Sequence, residues 1–90
     1  MAVARRVTVK GRVQGVFFRA WTQQQAQQVG VYGWVRNCPD GSVEAHLEGS
    51  ESGVTHIVEK MRKGPSDANV DEVDVRDVQF DGFSRFEVRH

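Results

Sequence analysis

The sequence has a single cysteine among its 90 residues, Cys38, so an intrachain disulfide is excluded. No apolar run is long enough to cross a membrane, and residues 1–20, in which valines alternate with charged residues, do not resemble a signal peptide. These absences predict a cytoplasmic protein with no membrane contact. The hydrophobic fraction of 39% and the charged fraction of 27% are ordinary for one globular domain spanning residues 1–90.

Acidic residues are missing from the first 39 positions, although the whole chain has no net charge. This first segment carries six basic residues, and the rest carries six basic and twelve acidic residues, so the formal charges are +6 and −6. A positive segment attracts small anions, but the two sets of charges can equally interleave on the folded surface, and the sequence leaves both interpretations open. The neutral total disfavours bulk nucleic-acid binding.

Hydrophobic periodicity predicts the elements of the first half of the chain. Valines at alternate positions predict a strand over Ala4–Gly11, and helical spacing begins at Phe18 and ends before Gly30. A second strand ends at Asn37, and the turn that follows it leads into a third strand that starts at Val43, so these two strands form a hairpin.

The second half repeats this alternation with a helix and two further strands. An apolar stripe over residues 54–61 predicts the second helix, which Ser50 can cap. Valines between Val70 and Val78 predict a fourth strand, irregular enough to hold a bulge, and Phe86–Arg89 is a short last strand. The order predicts an α+β, ferredoxin-like βαββαβ sandwich, in which two helices cover one face of an antiparallel sheet and a short C-terminal strand is added.

This topology predicts where two polar residues meet. The loop after the first strand and the end of the second strand lie at the same edge of the sheet. Gly33, Val35 and Asn37 share one parity, and the apolar Val35 marks their face as the one covered by the helices. We therefore expect Asn37 to lie near the N-terminus of the first helix.

The loop before that helix has features of an anion site. Gly11 and Gly15 allow a tight backbone, and the helix start offers unpaired N–H groups. Arg19 falls in the first helical turn, where a cation is unfavourable unless an anion accompanies it. A phosphate held by backbone amides and one guanidinium fits this arrangement, and so does a tight turn with a surface arginine.

The sequence lacks the common motifs for nucleotide binding, metal binding and nucleophilic catalysis. No Gly-x-Gly or Gly-Lys-Ser/Thr motif is present, the three histidines lack metal-ligand spacing, and the acids of residues 67–81 lack the EF-hand pattern. Cys38 has no histidine near it in sequence, which disfavours a nucleophilic role. We therefore predict neither a metal nor a cofactor.

Two segments resemble the signatures of the acylphosphatase family. Residues 11–19 read GRVQGVFFR and resemble the pattern G-x-V-Q-G-V-x-F-R, and residues 33–44 resemble a second pattern, G-W-V-x-N-x-x-D-G-x-V-E. Gly64-Pro65, after the second helix, also resembles the family, so the likeness covers nearly the whole chain.

The resemblance implies hydrolysis of small-molecule acyl phosphates to a carboxylate and inorganic phosphate without a metal. It implies that Arg19 binds the phosphate and that Asn37 positions the attacking water. The backbone N–H groups that would cradle the phosphate belong to Gly15, Val16, Phe17, Phe18 and Arg19. Inorganic phosphate or another small anion is then a second ligand, and we expect a monomer.

Two alternatives remain at this level. An acylphosphatase-like domain can bind phosphate or carbamoyl groups without turnover, as inside hydrogenase-maturation factors. RNA-recognition domains share the topology, but their aromatic-rich third strand is replaced here by VEAHLE at residues 43–48.

Overall fold

The computed structural model describes residues 1–90 and contains seven elements in the expected order. They are β1 (Ala2–Arg12), α1 (Phe18–Gln28), β2 (Tyr32–Asn37), β3 (Val43–Ser50), α2 (Glu51–Lys63), β4 (Asn69–Asp77) and β5 (Phe86–Arg89). The strands form one sheet with the order β4-β1-β3-β2-β5. Both helices pack on the sheet and touch each other, which confirms the ferredoxin-like α+β fold.

The sheet is antiparallel except at one edge. β1 pairs antiparallel with β3 and β4, and β2 pairs antiparallel with β3, as the topology predicts. The short β5 lies beside β2 in parallel, with Gly33 opposite Phe86 and Val35 opposite Val88. The sheet is therefore mixed, and β5 brings the end of the chain to the edge of the sheet beside α1, which it contacts.

The predicted irregularity of β4 is a bulge opposite Gly11. Lys10 pairs with Glu72 and Gly11 pairs with Val70, so Asp71 is the extra residue. The bulge explains why Val70 and Val73 both pack against the core although their spacing is odd. Gly11 is required here because its φ is 129° and a Cβ would overlap the carbonyl oxygen of Asn69.

Local signals define both helices. The Ser50 hydroxyl accepts the N–H of Gly53 at 3.1 Å, so the predicted cap of α2 is confirmed. α1 ends before Gly30, whose φ is 69°, and the N–H of Val31 donates to the carbonyl of Ala26 at 2.9 Å. Sixteen buried apolar side chains from both helices and from the strands form one core cluster.

Candidate active site

The loop between β1 and α1 is shaped by two residues with positive φ. Gly15 has a φ of 73°, and Phe17 has a φ of 61° and is the only residue other than glycine in this region of backbone space. A left-handed conformation costs a non-glycine residue about 1–2 kcal/mol. The loop keeps this strained backbone at the first position before α1, where it turns the chain into the helix.

Five consecutive amides of this loop and helix start have no partner within the protein. The N–H groups of residues 15–19 appear in none of its backbone or side-chain hydrogen bonds. Gly15, Phe17, Phe18 and Arg19 line a cavity of about 310 Å³. Val16 does not line it, because its side chain is buried in the core. Unpaired amides at a helix N-terminus form a site suited to an anion.

Arg19 lies in the first turn of α1 and is held by the last strand. Its Nη1 donates to the carbonyl oxygen of Arg89 at 2.8 Å and lies 3.0 Å from Nδ1 of His90. Arg19 takes part in none of the ion pairs of the protein, so no carboxylate neutralises it. A positioned guanidinium with free N–H donors beside free amides can bind a phosphate.

Asn37 lines the same cavity as Arg19 from the end of β2. Its backbone pairs with Val43 of β3, and its side chain is half-buried and takes part in none of the side-chain hydrogen bonds of the protein. The structure thus brings together the two residues that topology and parity placed at one edge of the sheet. The remaining lining comes from Val13, from Gly15, Phe17 and Phe18 of the loop and helix start, and from Ala20, Val88 and His90.

Gln14 joins the loop to the β2–β3 hairpin, a role that sequence reasoning missed. Its Nε2 donates to the carbonyl oxygens of Cys38 at 2.8 Å and Ser42 at 2.9 Å. Gly15, which follows Gln14 on the loop, lines the cavity, and so does Asn37, which precedes Cys38 on the hairpin. One side chain therefore links the amide loop to the hairpin that carries Asn37. Its position inside the first signature was the only available signal.

Cys38 and Arg36 lie beside Asn37 but do not line the cavity. The N–H of Cys38 donates to the carbonyl of Ser42 at 2.8 Å, and its own carbonyl accepts Gln14, so its backbone serves the turn. Arg36 pairs with Glu44 at 2.8 Å, and the hydrogen bond that its guanidinium donates to the Glu44 carboxylate raises the pKa of Arg36 above its usual value. Both residues support the hairpin without reaching the candidate site.

The opposite face of the sheet holds a buried polar cluster. The Glu48 carboxylate accepts Nε2 of His46 at 2.7 Å and the backbone N–H groups of Gly82 at 3.2 Å and Phe83 at 3.1 Å, and also that of Asp81. Burial alone would raise the pKa of Glu48, but these donors outweigh it and hold the pKa below its usual value. Glu48 therefore ties the β4–β5 connection to β3.

Three ligand-type atoms, from His46, Glu48 and Asp81, lie within 4.8 Å of one another, although the sequence spacing of the histidines did not indicate a cluster. Both Glu48 oxygens already accept backbone N–H groups, and Nδ1 of His46 faces the Arg6 guanidinium. These contacts hold the β4–β5 connection against β3, and we call the Glu48 carboxylate with the donors it accepts the Glu48 clamp.

The same face carries Trp34, whose side chain is covered. Only 6% of Trp34 is exposed, because the guanidinium groups of Arg6 and Arg89 lie 5.0 and 4.8 Å from its ring centroid and His46 stacks on it. RNA-recognition domains stack bases on exposed aromatics of this face, and Trp34 is not available for such stacking because it is covered.

None of the helices of this protein has the length and the apolar composition that a membrane span requires.

Comparison with known proteins identifies the family of this chain. The family model described as Acylphosphatase matches residues 5–88. An acylphosphatase of Syntrophobacter fumaroxidans is 52% identical over 83 residues, which cover 91% of this chain and 86% of that protein. The crystal structure of acylphosphatase from Bacillus subtilis is 35% identical with a TM-score of 0.94, and the match covers 100% of both chains. A structure of full-length HypF in a phosphate- and nucleotide-bound form has a TM-score of 0.90 at 26% identity, over 12% of its chain.

These matches extend over nearly the whole chain and include relatives of similar length. The free amides, Arg19 and Asn37 lie within the two segments that resemble the family signatures. The chain belongs to the acylphosphatase family and is an enzyme that hydrolyses acyl phosphates.

Proposed function

We propose that the chain hydrolyses small-molecule acyl phosphates without a metal ion, with Arg19 and the amides of residues 15–19 holding the phosphate and Asn37 orienting the attacking water. The observation that carries the proposal is the shared cavity: an arginine without a carboxylate partner and an asparagine without a side-chain partner line it together with the free amides. The side chain of Gln14 and the carbonyl of Arg89 keep the loop and the Arg19 guanidinium in place.

Phosphate binding follows from charge and donor geometry. A phosphoryl group presents several anionic oxygens, and the free amides together with the remaining guanidinium N–H groups of Arg19 supply donors for them. The donor set itself favours binding of the bare phosphate, because no Asp or Glu side chain, the usual protein ligand of a divalent cation, lines the cavity.

The chemical step needs little from the protein. Water attacks phosphorus, the bond from phosphorus to the bridging oxygen breaks with its electrons on that oxygen, and a carboxylate leaves. Because the conjugate acid of a carboxylate has a pKa of about 4, the leaving group departs without a proton. Asn37 is neutral and cannot serve as a base, so its amide oxygen orients the water and a phosphate oxygen takes the proton.

The enzyme is expected to work through positioning and electrostatics. Phosphoryl transfer places the attacking and leaving oxygens roughly in line, and stabilisation of the charge on the equatorial oxygens lowers the barrier. Loss of one preorganised donor in such a site costs about 3 kcal/mol, or a hundredfold or more in rate. The bond from Arg19 to the Arg89 carbonyl and the link from Gln14 to the hairpin provide this preorganisation.

The function is tested by phosphate release from acetyl phosphate, measured with and without a chelator of divalent cations. We expect turnover that the chelator leaves unchanged. Turnover abolished by the chelator and restored by a divalent cation would contradict metal independence. Phosphate binding without turnover would instead favour the alternative of a domain that binds phosphate without hydrolysing an acyl phosphate.

The proposal also treats residues 1–90 as one domain acting as a monomer in the cytoplasm. The single core cluster supports the first part, because buried side chains from every helix and from strands at both ends of the chain belong to it. Sedimentation equilibrium of the purified chain tests the second part.

A further inference from the structure

The side chain of Phe17 is exposed at the edge of the candidate active site. Its exposed fraction is 83%, although large apolar side chains are normally covered, and its backbone has a φ of 61°. Its own N–H is one of the free amides, so the ring and part of the phosphate cradle belong to the same residue. Neither core packing nor the proposed chemistry uses the ring.

Two cavities meet at this residue. One is the candidate active site, and the other is an open groove on the surface of α1. Only Phe17 and Ala20 line both. The remaining lining of the groove comes from Trp21, Gln23, Gln24 and Gln27. A molecule that extends beyond the first cavity past Phe17 therefore enters a groove with an apolar start and amide side chains farther along.

Other residues of the cavity lining already have assigned contacts or roles. On the side of β5, Arg19 donates to the carbonyl of Arg89 and lies beside His90. On the side of β2, Asn37 is the residue assigned to the water. Because the attacking and leaving oxygens lie in line, the acyl group must point away from the water and thus away from Asn37. The boundary formed by Phe17 and Ala20 is the part of the lining that continues into a second groove, so an acyl group that leaves the cavity there gains apolar contacts.

We propose that Phe17 recognises the acyl group and that the enzyme prefers acyl phosphates with an aromatic or other flat apolar acyl group. Such a group packs against the exposed ring, in the offset or edge-to-face contact that aromatic pairs favour, while the amides hold the phosphate. This inference rests on the assignment of the phosphate to the loop and of the water to Asn37.

The test compares kcat/KM for benzoyl phosphate and acetyl phosphate in the wild type, Phe17→Asn and Phe17→Tyr. Asparagine tolerates the left-handed backbone and lacks the ring, whereas tyrosine retains the ring. We expect Phe17→Asn to lower the ratio of benzoyl to acetyl kcat/KM about three- to tenfold, in line with the strength of aromatic contacts. Phe17→Tyr should keep the wild-type ratio. Because ratios are compared, the different reactivities of the two substrates cancel.

Phe80→Asn is the matched control, since Phe80 is also exposed but does not line either cavity. It should leave the ratio unchanged. The inhibition constant of inorganic phosphate, measured in the wild type and in Phe17→Asn, reports whether the loop backbone has changed. An unchanged ratio in Phe17→Asn overturns the inference, and so does an equal loss on both substrates accompanied by weaker phosphate binding, because the residue would then act only through the loop backbone.

A further variant separates this inference from the proposed function. If Arg19→Ala retained wild-type phosphate affinity and turnover, the assignment of the phosphate site would fail whatever the substrate ratio showed. If Arg19→Ala lost both and Phe17→Asn kept the ratio, the phosphate site would stand and only acyl recognition by Phe17 would be wrong.

Discussion

The guanidinium of Arg19 donates a hydrogen bond to the carbonyl oxygen of Arg89 across 2.8 Å. The two residues are 70 positions apart in the sequence, and the bond forms because β5 runs parallel to β2 beside α1. A guanidinium has five N–H donors in a planar fork, so it can keep this bond and still offer donors to a phosphate. The last strand therefore orients the cation of the candidate site.

Replacement of Arg19 tests this arrangement most directly. Arg19→Ala should raise the inhibition constant of inorganic phosphate and lower kcat/KM for acetyl phosphate by a factor of about 100–1,000, because a charged donor is lost. Arg19→Lys should recover only part of the activity, since an ammonium is a point charge that cannot form both bonds in the same geometry. Arg12→Ala is a suitable control, because Arg12 is exposed and does not line the cavity. Full activity of Arg19→Lys would contradict the role of the fork.

Asn37 should affect turnover more than binding. Asn37→Ala is expected to lower kcat by about a hundredfold, the loss typical for a positioned donor or acceptor, and to leave phosphate inhibition within about twofold of the wild type. Steady-state kinetics with phosphate as the inhibitor measures both quantities. Asn69→Ala, at an exposed position of β4, should change neither. Weaker phosphate binding with an unchanged kcat would show that Asn37 holds phosphate instead of water.

Gln14 should act as a positioning residue. Gln14→Leu removes both bonds to the carbonyls of Cys38 and Ser42. Each carbonyl keeps one backbone donor, so the expected cost is that of two lost hydrogen bonds, about 0.5–1.5 kcal/mol each. We expect lower stability in urea unfolding, together with a lower kcat at temperatures where the variant is fully folded. Gln79→Leu, at an exposed position, is the control. A variant that loses stability but keeps kcat would limit Gln14 to a structural role.

The Glu48 clamp should make stability depend on pH. The pKa of Glu48 is lower in the folded protein than its unfolded value of about 4.3, so its contribution is complete above that value and is lost as the pH falls through the folded pKa. Glu48→Gln retains one acceptor oxygen but replaces the other with an NH2 donor and removes the charge, so it cannot satisfy all the backbone N–H groups that the carboxylate accepts. Its deficit in unfolding free energy relative to the wild type should thus be largest at pH 7 and shrink below about pH 4.

Urea unfolding at several pH values between 3 and 7 measures this deficit. Glu59→Gln is the control, because Glu59 is exposed and its ion pair with Arg62 is a surface pair worth less than about 1 kcal/mol. A deficit of Glu48→Gln that stayed constant from pH 7 to pH 3 would show that the carboxylate charge does not stabilise the clamp.

Much of the fold was predictable because local rules define it. Alternating valines, the Ser50 cap, the stop at Gly30 and the odd spacing of Val70 and Val73 each identify an element, an end or a bulge. The parity of β2 also predicted that Asn37 faces the side of α1, and the structure places Asn37 and Arg19 on one cavity. Periodicity did not predict that β5 runs parallel to β2, because the pattern of a four-residue strand does not indicate which strand it pairs with or in which direction.

The sequence by itself determined the loop, with its glycines, its arginine and the signature around them, because backbone conformation and helix starts depend on neighbouring residues. Only the tertiary structure decided that Arg89 holds Arg19, that Gln14 ties the loop to the hairpin and that Glu48 anchors the connection to β5. These contacts join residues 24 to 70 positions apart. They depend on strand order and on which side chains remain after the core is packed, and local patterns do not encode either.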